Sequence, residues 1–285
     1  MKVLVTGVGG QLGHDVVSVF EEKDVPYFAP IHSDMDITDK NAVNYYFDKV
    51  QPDAVVHCAA YTSVDKAEDE SELCRRVNVI GTRNIVDNCI RRDIPIVYIS
   101  TDYVFNGSGN RPWQPLDATD PINVYGLSKR DGEIEVQRHL KHFIIRISWV
   151  FGINGNNFIK TMKRLSDTVD VVNVVDDQFG SPTYTRDLAY LILSMISTNK
   201  YGIYHAHNEG VCTWADLAEE TFQMIGTNTR VKRIRSDQYP MKAKRPANSR
   251  LSTDCLRNSG FSLLPDWKNA LKRFIQELSE SESEG

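Results

Sequence analysis

The stretch Lys2-Val3-Leu4-Val5-Thr6-Gly7-Val8-Gly9-Gly10-Gln11-Leu12-Gly13, at the start of the chain, decides the fold. Residues 2–5 form a short run in which Val3, Leu4 and Val5 are apolar, which predicts a strand, and residues 11–22 have the period of a helix. Gly7 and Gly10 lie between these two segments, and Gly13 lies near the start of the predicted helix. The three glycines are spaced three residues apart. This order predicts a turn whose backbone can approach a pyrophosphate, with the free N–H groups of a helix N-terminus beside it. The alternative is an ordinary strand–helix turn.

Strands and helices alternate along the rest of the first half. We predict strands at 25–29, 54–57, 94–100 and 143–148, and helices at 40–50, 69–92 and 122–140. The strand at 94–100 is a continuous apolar run, which is typical of a strand buried on both faces. The pattern therefore predicts an α/β fold with a Rossmann-type parallel sheet and helices on both of its faces.

The alternation becomes looser after residue 151. We predict strands at 171–175 and 202–205, and helices at 185–197, 213–225 and 267–278. Residues 1–150 then form an NAD(P)-binding domain, to which a segment at about 179–208 returns. Residues 151–178 and 209–285 form a smaller C-terminal α/β domain for a nucleotide sugar, and 279–285 are expected to be a frayed, solvated tail.

Composition excludes several classes of protein. The net charge of −5 gives no support for binding nucleic acid through its phosphates, although basic residues cluster between 230 and 250 and suggest a small anionic ligand. No apolar run approaches the ~20 residues that span a membrane. Five cysteines without metal-like spacing and the lack of a secretory signal indicate reduced thiols and a cytoplasmic location.

Tyr125 and Lys129 form the most informative pair of side chains. A spacing of four places them on one face of the helix predicted at 122–140. A phenol has a pKa of about 10, and a neighbouring ammonium group lowers it. The pair therefore indicates a tyrosine that can exchange protons near neutral pH. Alone, the spacing would equally suit two solvent-facing residues.

Taken together, the ordered motifs resemble those of the extended short-chain dehydrogenase/reductases. The motifs are the glycine turn, Asp36-Ile37, Ala59-Ala60-Tyr61, Thr101 and the Tyr125/Lys129 pair. Within that superfamily the chain is most similar to the dTDP-4-dehydrorhamnose reductase family. The similarity runs from residue 2 to about 267 and includes the segments 57–62, 64–68, 100–105, 148–152, 155–158, 177–183 and 244–249.

The resemblance implies roles for particular residues. Thr101 would hydrogen-bond the reacting carbonyl, Tyr125 would donate the proton, and Lys129 would bind the nicotinamide ribose and lower the tyrosine pKa. The cofactor would be NADPH, with NADH possible, and it would contact Gly7, Gly10, Gln11, Leu12, Gly13, Asp36, Ile37, Ala59, Ala60, Tyr61, Asn78 and Lys129. A dTDP-sugar substrate would contact Val64, Thr101, Tyr103, Tyr125, Trp149, Asn157, Gln178, Arg245 and Ser249.

The reaction implied by the resemblance is reduction of the C4 keto group of dTDP-4-dehydro-6-deoxy-L-mannose to dTDP-L-rhamnose. The choice of cofactor stays open. The second strand leads into Ala29-Pro30-Ile31-His32-Ser33, which has neither the carboxylate that would favour NAD nor an arginine that would favour NADP.

Three other functions compete with this prediction. Dehydratases of the superfamily carry Thr-Asp-Glu where this chain has Thr101-Asp102-Tyr103, and a phenol is a poor substitute for their catalytic base. A related nucleotide-sugar reductase or epimerase is the second alternative, although epimerases lack a clear match to Asp102-Tyr103. A non-catalytic subunit resembling the regulatory subunit of methionine adenosyltransferase is the third. That regulatory subunit also keeps a Tyr-x-x-x-Lys pair, but the start of this chain at Met1 makes the third alternative less expected.

No metal is expected. Some members of the family bridge a dimer through Mg²⁺ held by carboxylates, and here Asp15 stands at the first such position but Arg186 at the second. The arginine would repel a cation. We therefore expect no bridging Mg²⁺, and either a monomer or a homodimer.

Overall fold

The first half of the chain alternates strands and helices, as the sequence predicted. In this computed structural model, which describes residues 1–283, the elements are β1 (Val3–Thr6), α1 (Gln11–Glu22), β2 (Tyr27–Phe28), α2 (Lys40–Val50), β3 (Ala54–His57), α3 (Val64–Ala67), α4 (Ser71–Arg75), a π-helical turn (Arg76–Gly81), α5 (Thr82–Arg92), β4 (Ile96–Thr101), a 3₁₀ turn (Asp102–Val104), α6 (Val124–Val136) and β5 (His142–Ile147). The single helix predicted at 69–92 is in fact α4 and α5 joined by the π-helical turn.

The second half contains shorter elements. They are β6 (Val150–Phe151), α7 (Phe158–Ser166), β7 (Val171–Val175), β8 (Phe179–Gly180), β9 (Thr183–Tyr184), α8 (Thr185–Ile196), β10 (Gly202–His205), β11 (Asn208–Glu209), β12 (Cys212–Thr213), α9 (Trp214–Ile225), β13 (Arg230–Ile234), a 3₁₀ turn (Ser236–Gln238), α10 (Asp254–Asn258), β14 (Leu264–Asp266) and α11 (Trp267–Ser283). The prediction of a frayed tail is wrong for residues 279–283, because they continue α11. Residues 284 and 285, the last two of the predicted tail, lie outside the described part of the chain.

Six parallel strands form the main sheet, in the order β10-β5-β4-β3-β1-β2. Its two faces are covered by different helices. Alternate residues of β1 show this, because Val3 and Val5 pack with α1 and α8, whereas Leu4 packs with α2 and α5. Both faces of the strands are therefore buried, and the predicted Rossmann-type α/β fold is confirmed.

The order of the strands places a crevice at the carboxyl ends of β1 and β3. From β1 the chain passes to β2 on one side and then returns to β3 on the other side. Connections that leave in opposite directions at such a switch point keep the carboxyl ends of the two strands uncovered. The glycine turn follows β1, so it lies at this crevice.

A smaller α/β layer is built from the later segments. β7 and β13 pair in parallel, and Val172 and Val174 of β7 pack beneath α7 and α9. α11 packs through Phe274 against Phe151 and Tyr184. The sequence did not predict β13, because its residues are charged and mostly exposed and only the backbone pairing with β7 makes them a strand. None of the described helices is long and apolar enough to cross a membrane.

A buried ion pair joins α6 to the main sheet. Glu133 on α6 accepts two hydrogen bonds from Arg146 on β5, at 2.8 and 2.7 Å, and the two side chains are 2% and 3% exposed. Ser100 on β4 donates to the same carboxylate at 2.5 Å. Because both charges are removed from water, each depends on the other for compensation.

Replacing Glu133 by Gln should lower the free energy of unfolding by about 3 kcal/mol, since it leaves the Arg146 charge buried without its partner. Glu219→Gln is the matched control, because Glu219 pairs with Arg233 at an exposed site and should change stability by less than about 1 kcal/mol. Chemical denaturation of the two variants measures the difference. Equal effects would contradict the structural role given to the buried pair.

Candidate active site

A cavity of about 800 Å³ lies at the carboxyl edge of the main sheet. It brings together many of the predicted site residues, which are far apart in the chain. Those in its lining are Gly7, Gly10, Gln11, Leu12, Gly13, Asp36, Ile37, Ala59, Ala60, Thr101, Tyr103, Tyr125, Lys129 and Trp149. Tyr61, Val64, Asn78, Asn157, Gln178, Arg245 and Ser249 are not in the lining.

The glycine turn forms one wall of the cavity. Gly7 has φ +72°, and a Cβ there would lie 2.5 Å from the backbone nitrogen of Ala59. A Cβ on Gly13 would lie 2.2 Å from the carbonyl oxygen of Gly7, so α1 can approach the turn this closely only with glycine at that position. In contrast, a Cβ on Gly9 would meet nothing within 4 Å. The turn is thus tight where it packs against the protein and open elsewhere.

The N-terminus of α1 adjoins the same wall. No side chain caps this 12-residue helix at Gly10. Its first N–H groups therefore have no side-chain partner and can bind an anion, which the helix dipole also favours. An open glycine turn beside an uncapped helix start fits the pyrophosphate of a dinucleotide.

Two asparagines hold the turn from the C-terminal part of the chain. The Asn154 Nδ2 donates to the carbonyl oxygen of Gly9 at 2.9 Å, and the Asn157 Nδ2 donates to the Oε1 of Gln11 at 3.1 Å. Asn157 also accepts a hydrogen bond from the backbone of Lys160 and so caps α7. Asn157 was predicted to contact the substrate, and the structure places it behind the glycine turn instead of in the cavity lining.

The end of β4 presents three polar side chains to the cavity. Thr101 Oγ1 donates to Asp102 Oδ1 at 3.0 Å and accepts from the backbone nitrogen of Tyr103 at 3.2 Å. The other oxygen of Asp102, Oδ2, is buried and has no hydrogen-bond partner among the described residues. Burial raises the pKa of Asp102 to about 7, although the nearby hydroxyls of Ser249 and Thr101 oppose the rise. Asp102 was not among the residues predicted for the site, because the motif alone does not reveal its burial.

Tyr125 lies near the start of α6. Asn123 caps this helix by accepting a hydrogen bond from the Gly126 nitrogen at 2.7 Å, and a Cβ on Gly126 would lie 2.2 Å from the carbonyl oxygen of Tyr103. This close approach brings the Tyr125 and Tyr103 rings edge to face, with centres 5.8 Å apart. Burial, reinforced by the Asp102 charge, raises the Tyr125 pKa above its ordinary value.

Lys129 is buried one turn further along α6. Its Nζ lies 4.0 Å from the centre of the Tyr98 ring. Burial lowers the pKa of Lys129 to about 7, and the charge of Glu133 opposes that change. In this structure the Tyr125 pKa lies above its ordinary value and not below it as expected, because burial is the largest cause acting on the phenol.

Asn78 supports the site from the π-helical turn. Its Oδ1 accepts from the Tyr61 nitrogen at 2.8 Å, and its Nδ2 donates to the Ser128 hydroxyl at 2.9 Å. Asn78 thus fixes the loop after β3 against α6 without lining the cavity. The Tyr61 hydroxyl donates to Glu70 at 2.7 Å, so its phenol does not contribute to the lining either.

Two stacked indoles close the end of the cavity that faces the smaller layer. The rings of Trp149 and Trp214 are 3.8 Å apart and 15° from parallel. Gly180 makes room for them, since a Cβ there would lie 2.7 Å from the Trp149 ring. Gln178 accepts from the Trp214 Nε1 at 3.1 Å, so it positions an indole of the lining rather than lining the cavity itself. Trp214 was not predicted to belong to the site, although an aromatic residue at the start of a predicted helix was a visible signal.

Arg245 lies beside the lining, next to Tyr103. Its Nη2 donates to Asp65 at 2.6 Å, while its Nη1 is buried and has no hydrogen-bond partner among the described residues. Its charge opposes the rise that burial and Asp102 cause in the pKa of Tyr103. Val64 precedes Asp65 on α3, and Ser249 is buried beside Asp102.

Residues 1–283 contain no group of three or more His, Cys, Asp or Glu side chains that could hold a metal ion. Asp15 is buried and accepts a hydrogen bond from Thr185, and Arg186 pairs with Glu22 at 2.9 Å.

The glycine turn, the polar end of β4 and the Tyr125/Lys129 pair on α6 share one cavity in a fold that other proteins also have. The family model for the RmlD substrate binding domain matches residues 1–280. The chain belongs to the RmlD family. This family comprises NAD(P)-dependent reductases of dTDP-linked sugars, and the extended short-chain dehydrogenase/reductase resemblance is confirmed.

Several known proteins are similar to this chain over nearly their whole length. The spore coat polysaccharide biosynthesis protein SpsK of Bacillus subtilis is 40% identical, over 98% of this chain and 99% of its own. The dTDP-4-keto-6-deoxy-D-glucose reductase of Streptomyces niveus is 38% identical, over 98% of each chain. The dTDP-4-dehydrorhamnose reductase of Bacillus anthracis, solved in complex with NADP, has a TM-score of 0.94 and 38% identity, covering 97% of this chain and 99% of its own.

The buried carboxyl of Asp102 should make stability depend on pH in this RmlD-family chain. Its pKa is about 7 in the folded protein and about 3.8 when unperturbed, so between these values the folded chain holds a proton that the unfolded chain has lost. Stability should therefore fall as pH rises from about 4 to 7, by up to about 4 kcal/mol, and Asp102→Asn should remove this dependence. Denaturation curves at pH 5 and pH 8 measure it.

The control is Asp120→Asn, at an exposed aspartate on the following loop. It should keep the pH dependence of the wild type. If Asp102→Asn keeps it too, the carboxyl is not held neutral by burial.

Proposed function

We propose that this chain reduces the C4 keto group of dTDP-4-dehydro-6-deoxy-L-mannose to give dTDP-L-rhamnose, with NADPH or NADH as the reductant. The observation that carries the proposal is that Thr101 and Tyr125 line the same cavity as the open glycine turn. A carbonyl held between two hydroxyl groups can be polarised and then protonated. The name of the Bacillus anthracis relative supports the choice of sugar.

The dinucleotide would lie along the carboxyl edge of the sheet. The glycine turn and the start of α1, including Gln11 and Leu12, would bind its pyrophosphate. Asp36, Ile37, Ala59 and Ala60 would contact its body, and Lys129 would bind the nicotinamide ribose. Tyr61 and Asn78 would hold the loop after β3 in place. When bound, the reduced nicotinamide supplies a hydride to the carbonyl carbon of the sugar.

Tyr125 then supplies the proton. The phenol holds its proton at neutral pH, where its ordinary pKa of about 10 already keeps it protonated and burial raises that pKa further. The Thr101 hydroxyl, which donates to Asp102 in this structure, can turn to donate to the carbonyl oxygen instead. A positive charge on Lys129 stabilises the phenolate that Tyr125 leaves behind. Burial keeps water away and strengthens each of these interactions.

The sugar and its diphosphate would occupy the side of the cavity nearest the smaller layer. Trp149 offers a flat apolar surface to the sugar ring, and the free Asp102 Oδ2 can accept a hydrogen bond from a sugar hydroxyl. The unpaired Nη1 of Arg245 suits a phosphate oxygen. Tyr103 completes this side, whereas Val64, Gln178 and Ser249 lie outside the lining and would act through their neighbours, as Asn157 would through the glycine turn.

Tyr103 argues against the dehydratase and epimerase reactions. Those reactions need a base that removes a proton from the sugar. Burial and the Asp102 charge raise the pKa of Tyr103, so the phenol does not serve as that base at neutral pH. A purely regulatory role would not require two hydroxyl groups aimed into an open cavity. A second candidate function is reduction of dTDP-4-keto-6-deoxy-D-glucose, which the Streptomyces niveus relative supports.

Tyr125→Phe should reduce turnover by about 10²- to 10⁴-fold, since it removes the proton donor and leaves the ring in place. Binding of NADPH should change by less than about twofold, because the glycine turn is untouched. Steady-state NADPH oxidation and calorimetric binding measure the two effects. Tyr45→Phe, at an exposed tyrosine on α2, is the matched control. Near-normal turnover of Tyr125→Phe would disprove the proposed role.

The identity of the sugar has its own test. The enzyme is incubated with dTDP-4-dehydro-6-deoxy-L-mannose or with dTDP-4-keto-6-deoxy-D-glucose, and NMR identifies each product. We expect kcat/KM to be at least about tenfold higher for the L-manno substrate, which corresponds to about 1.4 kcal/mol of preferential transition-state binding. A preference for the D-gluco substrate would favour the second candidate.

A further inference from the structure

His57 is the last residue of β3, and its side chain is buried and does not line the cavity. Both of its ring nitrogens have hydrogen-bond partners. Nδ1 lies 2.7 Å from the hydroxyl oxygen of Thr6, and Nε2 lies 3.1 Å from that of Thr82. Thr6 ends β1 directly before the glycine turn, and Thr82 begins α5 directly after the π-helical turn. The imidazole therefore joins the strand that leads into the glycine turn to the helix that leaves the π-helical turn.

The direction of each of these hydrogen bonds follows from the groups around them. The Thr82 hydroxyl lies 2.8 Å from the carbonyl oxygen of Asn78, which can only accept, so the hydroxyl proton is used there. The Thr82 oxygen must then accept from His57, and Nε2 carries a proton. Burial lowers the pKa of His57 to about 3, so the ring is neutral and Nδ1 accepts from the Thr6 hydroxyl. The Thr6 oxygen in turn accepts from the backbone nitrogen of Ala59 at 3.2 Å.

The same series of hydrogen bonds continues to Tyr125. The Asn78 Nδ2 donates to the Ser128 hydroxyl at 2.9 Å, and that hydroxyl donates to the backbone carbonyl oxygen of Tyr125 at 2.7 Å. The hydrogen bonds thus run without a break from the loop after β3 to the first turn of α6. All the side chains that make them are buried, so water does not compete for them. We call these side chains the His57 network: Thr6, His57, Thr82, Asn78 and Ser128.

We propose that His57 is a positioning residue, and that its network holds Tyr125 at the place relative to the glycine turn where it can protonate the reduced sugar. This inference rests on the proposed function, because it takes Tyr125 as the acid. A neutral imidazole suits the position, since it is a rigid ring that donates at one end and accepts at the other. Precise placement matters, because a displacement of about 1 Å in an active site can reduce turnover by about 10²-fold.

The π-helical turn explains why a link is needed at this point. Such turns are rare and often occur at functional sites. Asn78 lies within the turn and Thr82 directly follows it, so the hydrogen bond between them spans the wider backbone. A return to α-helical spacing would rotate Asn78 by about 100° relative to α5. That rotation would take its side chain away from Ser128 and from the loop after β3. His57 fixes the Thr82 hydroxyl and so favours the wider turn.

Thr82→Val tests the network, because it replaces the hydroxyl with a methyl group of similar size. We expect kcat for the keto sugar to fall by about 10- to 100-fold, since Tyr125 is no longer held in place. The Kd of NADPH should change by less than about threefold, because the glycine turn is untouched. Thr82→Ser keeps the hydroxyl and should keep kcat within about threefold of the wild type. Steady-state kinetics and calorimetry measure these values.

Thr221→Val is the matched control. Thr221 is also buried, and its hydroxyl donates to the carbonyl oxygen of Leu217, four residues earlier on α9, at 2.7 Å. The substitution therefore removes a hydrogen bond of the same kind outside the network. It should reduce stability, as Thr82→Val does, but leave kcat unchanged. Chemical denaturation identifies conditions in which every variant is folded, and the kinetics are measured there.

Two further measurements do not need the keto sugar. Amide hydrogen exchange at residues 124–130 of α6 should be at least about tenfold faster in Thr82→Val than in the wild type, and unchanged in Thr221→Val. Nitrogen-15 NMR of histidine-labelled protein reports the protonation of each ring nitrogen. The His57 signals, assigned by their loss in His57→Gln, should show a proton on Nε2 and none on Nδ1.

A proton on Nδ1 of His57 would overturn the proposal, and so would equal kcat values or equal exchange rates in Thr82→Val and Thr221→Val. Failure of the proposed function looks different. If the wild type reduces neither keto sugar but exchange and NMR give the expected results, the reaction has been assigned wrongly and the link from the glycine turn to Tyr125 stands. If the sugar is reduced and Thr82→Val behaves as the control does, the reaction stands and the network has no part in it.

Discussion

The close approach of α1 to the turn after β1 is the constraint on which the rest of the site depends. Gly13 meets the carbonyl oxygen of Gly7, and Gly7 meets the backbone of Ala59, with no space for a side chain at either contact. Because the turn is this tight, the start of α1 faces the carboxyl edge of the sheet with its N–H groups free. The cavity, the position of the loop after β3 and the approach of Asn154 all follow from that arrangement.

Burial determines the chemistry of the groups that meet at the cavity. It raises the pKa values of Asp102 and Tyr125 and lowers that of Lys129, so all three favour their neutral forms more than they would in water. A neutral phenol is suited to donating a proton to a developing alkoxide. The charge of a bound ligand can then shift these neighbouring groups, because interactions between charges are strong where water is excluded.

The sequence predicted those parts of the site that depend on short spacings. The glycine turn, the strands of the main sheet and the Tyr125/Lys129 pair were all found from local patterns. Trp214 was missed because pairing of β12 with β8 brings it to Trp149 from 65 residues away. The pKa of Tyr125 was predicted in the wrong direction because a spacing along a helix does not reveal burial.

Transfer of hydride from a nicotinamide to a sugar carbonyl in this cavity is the proposed reaction. The most direct measurement of it uses NADPH carrying deuterium at the transferable position of the nicotinamide, with dTDP-4-dehydro-6-deoxy-L-mannose as the acceptor. A carbonyl reductase should place one deuterium at C4 of the product sugar for each NADPH oxidised. Oxidation of the cofactor without deuterium at C4, or a sugar converted without oxidation of the cofactor, would contradict the claim.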